Sequence, residues 1–398
     1  MKKLFAMLLV LALLACLFTG CKGEATQETD APTDASTEAP NNETENNQPV
    51  ETEANEPVWK VAMITDYGDI TDQSFNQTTY EAGKAWCDEH GVEFTYYKPT
   101  GDSTEARVAS VDQAVANGYN VLLMPGFAFA ETVRESADLN PDVKYIVLDA
   151  GEGDYGDYTL PENVYSAVYQ EQIPGYMVGY AAVKLGYTKL AYLGGMAVPA
   201  VIRYGYGFVQ GANAAAVELG IENDVSIQYV YGNQFYGDAD ITAYMDTLYA
   251  NGLEICFAAG GSIFDSACEA AARVGGKIIG VDVDQAAGID SVYGEGMTVS
   301  SAMKGLAATV TTALTDLIIN DNWAAYGGKI ASLGIISDDP NENYVQIAPS
   351  TQYEDGKFTE ADYLDLVAKI HAGEIEISDA IDVEPEAAIE VNYLGNIK

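Results

Sequence analysis

From Trp59 onward the chain alternates short runs of β-favouring residues with stretches of helical periodicity, and it does so twice over. In the first unit residues 60–65 (KVAMIT), 93–97, 121–124 and 144–148 read as strands. Residues 74–89, 103–117 and the stretch around 130–137 read as the helices between them. Val108, Val111 and Val115 share one face of the 103–117 helix, and Gly118 closes it. In the second unit helices are expected at 171–185, 206–219, 238–250 and 263–274. Strands are expected at 189–193, 225–231, 255–259 and 277–281. Strands that alternate with helices pair in parallel, and helices must then cover both faces of the sheet. The expected architecture is therefore α/β: two doubly wound parallel-sheet lobes joined by a hinge. No insertion-rich linker separates the units, so the hinge is expected in extended strands near 164–168 and 297–300.

In such sheets, ligands sit beyond the carboxyl ends of the strands. The residues found there are Asp66, then Pro125-Gly126-Phe127 and Asp149, in the first unit. In the second they are Gly194-Gly195-Met196, Asn233-Gln234-Phe235, Gly260-Gly261 and Asp282. Carboxylates accept hydrogen bonds from hydroxyl or amino groups, aromatic rings stack on flat ligands, and glycines admit close backbone. Taken one at a time, each aspartate could equally cap the next helix, and the glycine pairs could be tight turns. Together they describe a site for a ligand with a flat ring and vicinal hydroxyls.

The N-terminus points outside the cytoplasm. Lys2 and Lys3 precede an uncharged apolar run over 4–17, which ends in Phe18-Thr19-Gly20-Cys21. That run is shorter than the roughly 20 residues a membrane span needs, and it suits a signal peptide. The cysteine context resembles a bacterial lipobox, which implies acylation at Cys21, with Cys16 as the rival position. Residues 22–57 hold ten acids, one lysine and no aromatic, so they are expected to form a disordered acidic tether. The net charge of -41 argues against nucleic-acid contact, which needs clustered cations. Cys87, Cys256 and Cys268 lack metal or disulfide spacing and read as core thiols; the only histidines, His90 and His371, are not spaced to hold a metal. No cofactor is expected.

Asp66-Tyr67-Gly68-Asp69-Ile70-Thr71-Asp72-Gln73-Ser74-Phe75-Asn76-Gln77 resembles the opening signature of the basic membrane protein family of lipoproteins. The likeness continues through Gly194-Gly195-Met196, Gly207-Phe208-Val209-Gln210-Gly211, Ala258-Ala259-Gly260-Gly261, Gly280-Val281-Asp282-Val283-Asp284-Gln285 and Ser300-Ser301-Ala302-Met303-Lys304. It implies a type I periplasmic-binding-protein fold, a purine nucleoside as ligand, and ABC permease and ATPase subunits as partners of a monomeric, lipid-anchored receptor. By position, Asp66 is expected to hydrogen-bond the base, Phe75 to stack on it, and Asp149 to contact it. Asp282 and Lys304 are expected to hold the ribose hydroxyls. Phe235 is the expected second stacking ring, with Phe257 and Phe264 as rivals; Asn76, Phe127, Met196, Gly260 and Gly261 complete the expected site. Without the resemblance, Lys304 reads as a surface lysine at a helix start. Tyr67 stands where purine-nucleoside members carry a small amide, which keeps a sugar-like ligand open.

The lobes are expected to comprise 58–166 plus 303–332 and 167–302 plus 333–398, behind a signal peptide at 1–21 and the tether at 22–57. In the tail, a helix over 359–371 is expected to pack through Leu364, Val367 and Ile370. An enzyme is disfavoured: no GxSxG, HExxH or phosphate-cradling loop is present, and Gly205-Tyr206-Gly207 with Gly211 is too loose for a dinucleotide fingerprint. A surface adhesin or signalling receptor of the same fold is the remaining alternative.

Overall fold

Each of the eight runs read as strands is a strand in the computed structural model. It describes residues 58–66 and 68–398, so the expected signal peptide, Cys21, the tether and Tyr67 lie outside the described residues. The strands are β1 (Lys60–Ile64), β2 (Glu93–Tyr97), β3 (Val121–Pro125), β4 (Lys144–Leu148), β5 (Val164–Tyr169), β6 (Lys189–Gly194) and β7 (Ser226–Tyr231). They continue with β8 (Ile255–Ala259), β9 (Lys277–Asp282), β10 (Thr298–Lys304), β11 (Lys329–Leu333), β12 (Val345–Ile347) and β13 (Glu390–Asn396).

Two sheets result. The first has the order β11-β5-β4-β3-β1-β2, parallel throughout. The second has the order β12-β10-β9-β8-β6-β7-β13, parallel except for the antiparallel β10–β12 pair. Central strands such as β3 and β8 are buried along their whole length. That is why they read as unbroken apolar runs, since both of their faces meet helices.

Local chemistry sets the helix ends. Ser103 accepts a hydrogen bond from Ala106 N at the start of the helix Thr104–Ala116, and Asp238 accepts from Asp240 N and Ile241 N at Ala239–Ala250. The helix expected at 206–219 begins earlier, at Pro199, where a proline's fixed φ and missing N–H suit a first turn. It packs on the helix Gln172–Lys184 at backbone contact distance. A Cβ on Gly211 would lie 1.9 Å from Tyr176 O, and one on Gly179 would lie 2.3 Å from Phe208 O. The Gly207–Gly211 motif thus serves helix packing and lies inside a helix.

Two expectations are corrected. Both strands placed at the hinge are full sheet members: β5 pairs with β4 and β11, and β10 with β9 and β12. The chain passes between the sheets just after them, at residues 170–171 and at Gly305, and a third time between β11 and β12. In the tail helix Glu360–His371, Val367 is buried and Ile370 packs against the core as expected, but Leu364 is exposed and Tyr363 and Leu366 are buried instead. Tail strands β12 and β13 add to opposite edges of the second sheet.

Candidate functional site

The carboxyl ends of both sheets line one cleft of about 1130 Å³. This is at the large end for a small-molecule site, roughly 300–1,000 Å³. Asp66, Phe75, Asn76, Phe127 and Asp149 line it from the first sheet's loops; Met196, Phe235, Gly260, Gly261, Asp282 and Lys304 line it from the second. Every described residue expected in the site is therefore in one wall or the other.

Asp66 follows β1 and does not cap the next helix. Its Oδ1 accepts from Gly68 N at 3.0 Å and from Asn76 Nδ2 at 2.7 Å. Asn76 also donates to Asp72 Oδ2 at 3.0 Å, and its Oδ1 accepts from Asp66 N at 3.2 Å. Both amide hydrogens of Asn76 are thereby engaged, and the residue acts as a strut for Asp66. The cap falls to Asp72, whose carboxylate accepts from Ser74 N, Asn76 N and Gln77 N at 3.0 Å each. Gly126, at φ 126°, is required beside Asp66 because a Cβ there would lie 2.4 Å from Asp66 Oδ2.

Phe75 opens the helix Phe75–His90 and stands half-buried, with its ring centroid 4.8 Å from Lys304 Nζ. Phe235 lies against glycine backbone. Cβ atoms on Gly195 and Gly260 would sit 2.6 and 3.3 Å from its Cδ1. The glycine pairs therefore seat an aromatic ring in the second wall. The rivals Phe257 and Phe264 are 0% and 2% exposed and belong to the core.

Lys304 corrects the reading from the residues alone. It ends β10 and is buried, with a side chain 4% exposed. Its ammonium forms an ion pair with Asp149 Oδ2 and lies 3.5 Å from Asp282 Oδ1 and 3.6 Å from Glu171 Oε1. Glu171 in turn holds Arg203 Nε at 2.7 Å. Ser74 Oγ donates to Asp282 Oδ2 at 2.5 Å, and Tyr204 OH stands 3.5 Å from Asp282 Oδ1. Burial, reinforced by Glu171 and Asp282, raises the Asp149 carboxyl to about 7, although Lys304 opposes the shift. Burial acts to lower the Lys304 ammonium, but the three carboxylates outweigh it and hold it above its ordinary value. Three carboxyl groups thus share two cations, Lys304 and Arg203.

Sequence reasoning missed Glu171, Ser74, Tyr204 and Arg203. Glu171 and Ser74 sit at helix starts, where acids and hydroxyls are expected for capping, so their residue types carried no separate signal. Asp149 and Asp282 did carry one, their place directly at strand ends; the structure adds that both adopt left-handed backbone, at φ 66° and 65°, which is uncommon outside glycine and concentrates at functional sites.

The sequence profile of the Bmp family, described as ABC transporter substrate-binding protein PnrA-like, matches residues 59–380. The chain is similar to the ABC transporter nucleoside-binding protein BmpA of Lactococcus lactis subsp. cremoris, 26% identical over 239 residues, or 57% of this chain. That match covers 64% of the lactococcal protein, less than two thirds of its length. It is also similar to basic membrane protein A1 of Borrelia garinii subsp. bavariensis, 25% identical over 82% of this chain and 85% of that one. Among solved structures, a solute-binding protein of an ABC transporter system from Aeropyrum pernix K1 superposes with a TM-score of 0.64 at 21% identity, covering 81% of this chain and 94% of that one. Another, from Conexibacter woesei, gives 0.61 at 20% identity, covering 81% and 99%. These two share the fold.

Proposed function

Given that the chain belongs to the Bmp family of PnrA-like ABC transporter substrate-binding proteins, we propose that it captures a purine nucleoside in the interlobe cleft and delivers it to a permease–ATPase importer. The observation that carries this reading is the pairing of an aromatic face with a buried ionic cluster: Phe75 lies against Lys304, which lies among Asp149, Asp282 and Glu171. A base stacks on Phe75, and Phe235 covers it from the other lobe. Asp66, held by Asn76, accepts from the base edge. Asp282 and Lys304 take the ribose hydroxyls, and Asp149 Oδ1 is suited to accept from the ligand, since it is buried without a hydrogen-bond donor among the described residues.

The family's work is extracytoplasmic, and acylation of Cys21 would tether the receptor to the membrane. Among the described residues no helix is long and apolar enough to cross a membrane. The role is capture and release without chemistry on the ligand. Closure of two lobes supplies affinity by burial and fixed hydrogen bonds. Phe75→Ala and Asp282→Ala are each expected to weaken calorimetric affinity for a purine nucleoside by about tenfold or more, since each removes a buried stacking or charged contact. Unchanged affinity in both variants would remove the site assignment.

A further inference from the structure

Glu171 takes no ligand group in the reading above. Its side chain is 0% exposed, and it does not line the cleft. It sits where the chain first leaves the first sheet, between Tyr169 at the end of β5 and the helix Gln172–Lys184. That passage is bonded to the third, and the third to the second. Gln170 N donates to Leu333 O at 2.9 Å, Tyr344 N to Gly334 O at 3.0 Å, and Gly305 N to Tyr344 O at 2.7 Å. Gly334 leaves room for the Gln170 side chain, since a Cβ there would lie 2.0 Å from Gln170 Oε1. The three passages form one hydrogen-bonded bundle, and Lys304 immediately precedes Gly305 within it.

Glu171 and Lys304 are thus the two charged side chains that this bundle directs toward the ionic cluster. Glu171 Oε2 is engaged by Arg203 at 2.7 Å, whereas Oε1 faces Lys304 at 3.6 Å and is buried without a hydrogen-bond donor among the described residues. A fully buried carboxylate costs several kcal/mol unless it is paired. Arg203 supplies one partner, so the orientation of the second oxygen toward Lys304 calls for its own reason. Asp149 and Asp282 hold the same ammonium from the cleft side, where a ligand hydroxyl would draw on them. Glu171 holds it from behind, where no ligand atom competes.

We infer that Glu171, backed by Arg203, is a positioning residue that keeps the Lys304 ammonium aimed at the ligand's vicinal hydroxyls while Asp149 exchanges partners. Being at a passage between the lobes, it also fixes that ammonium relative to the hinge. The inference rests on the nucleoside reading above, and one experiment separates the two. The full chain, as wild type, Glu171→Gln and Arg203→Met, is titrated calorimetrically with inosine and with 2′,3′-dideoxyinosine, which lacks both hydroxyls. Glu171→Gln is expected to weaken inosine by about tenfold and dideoxyinosine by less than about threefold, the scale of one charge-assisted contact. Arg203→Met, at the partly exposed end of the pair, is expected to show the same ranking at about threefold for inosine, and it carries the test if Glu171→Gln does not fold. Equal losses for both ligands, or no loss for either, overturn the positioning role and leave the nucleoside reading standing. A wild type that binds neither ligand overturns both.

Discussion

Asp149 and Asp282 occupy equivalent places in the two lobes: each follows or ends a parallel strand, each has left-handed backbone, and each faces Lys304. Their surroundings differ. Asp282 is braced, with Ser74 Oγ on one oxygen and Tyr204 and Lys304 at 3.5 Å from the other. Asp149 pairs with Lys304 through one oxygen, while its other oxygen has no donor among the described residues. The braced carboxylate comes with a tie between lobes, since Ser74 opens a first-lobe helix and Asp282 ends a second-lobe strand. A second tie runs beside it, from Gln285 Nε2 to Gln73 O at 3.0 Å. Burial raises the proton affinity of this under-bonded carboxylate. Identical residues at matching positions therefore divide the work: one fixes geometry, and the other is left to respond.

The largest effect should come from removing what the two share. Lys304→Met leaves three buried carboxylates facing one another, and about 3–5 kcal/mol of stability should be lost, as for any buried pair broken on one side. Urea titration measures it, and a loss below about 1 kcal/mol would mean the cluster is solvated. Next is the braced side alone. Ser74→Ala removes the donor to a buried carboxylate and should cost about 1.5–3 kcal/mol, read by the same titration. The corresponding loss at Asp149 should be smaller, because its second oxygen has no protein donor to lose.

A further effect is one of pH and belongs to Asp149. Its carboxyl is raised in the fold to about 7 from an ordinary 3.8, so the folded chain holds that proton more tightly than the unfolded one. The ionisation penalty is absent below the unfolded value and grows as the pH rises toward the folded one. Wild type should therefore lose stability relative to Asp149→Asn between about pH 4 and pH 7, with no further divergence above that. Thermal melts of the two proteins across this range check it, and parallel curves would mean that folding does not raise the Asp149 carboxyl.

This division also marks how far the sequence was legible. Strand-end positions stood out because parallel strands buried on both faces leave continuous apolar runs with abrupt polar ends, as at Leu148–Asp149. The same logic separates Phe235, beyond a strand, from Phe257, inside one. Lys304 was harder. A lysine after Ser300-Ser301-Ala302-Met303 suits a helix start as well as a strand end, and only pairing with β9 and β12 decides between them. Glu171 and Ser74 gave no signal because their roles depend on partners far along the chain, Lys304 and Asp282. Periodicity reports which face is buried; it does not report which charges meet across a hinge.

The central claim is that the cleft takes base and sugar together, the aromatic walls serving one and the ionic cluster the other. Calorimetric titration of the full chain with inosine, hypoxanthine and ribose separately tests it most directly. Inosine should bind about a hundredfold or more tightly than either fragment, since two anchored groups share a single loss of rigid-body freedom. Ribose binding as tightly as inosine, or no heat from inosine at all, would contradict the account.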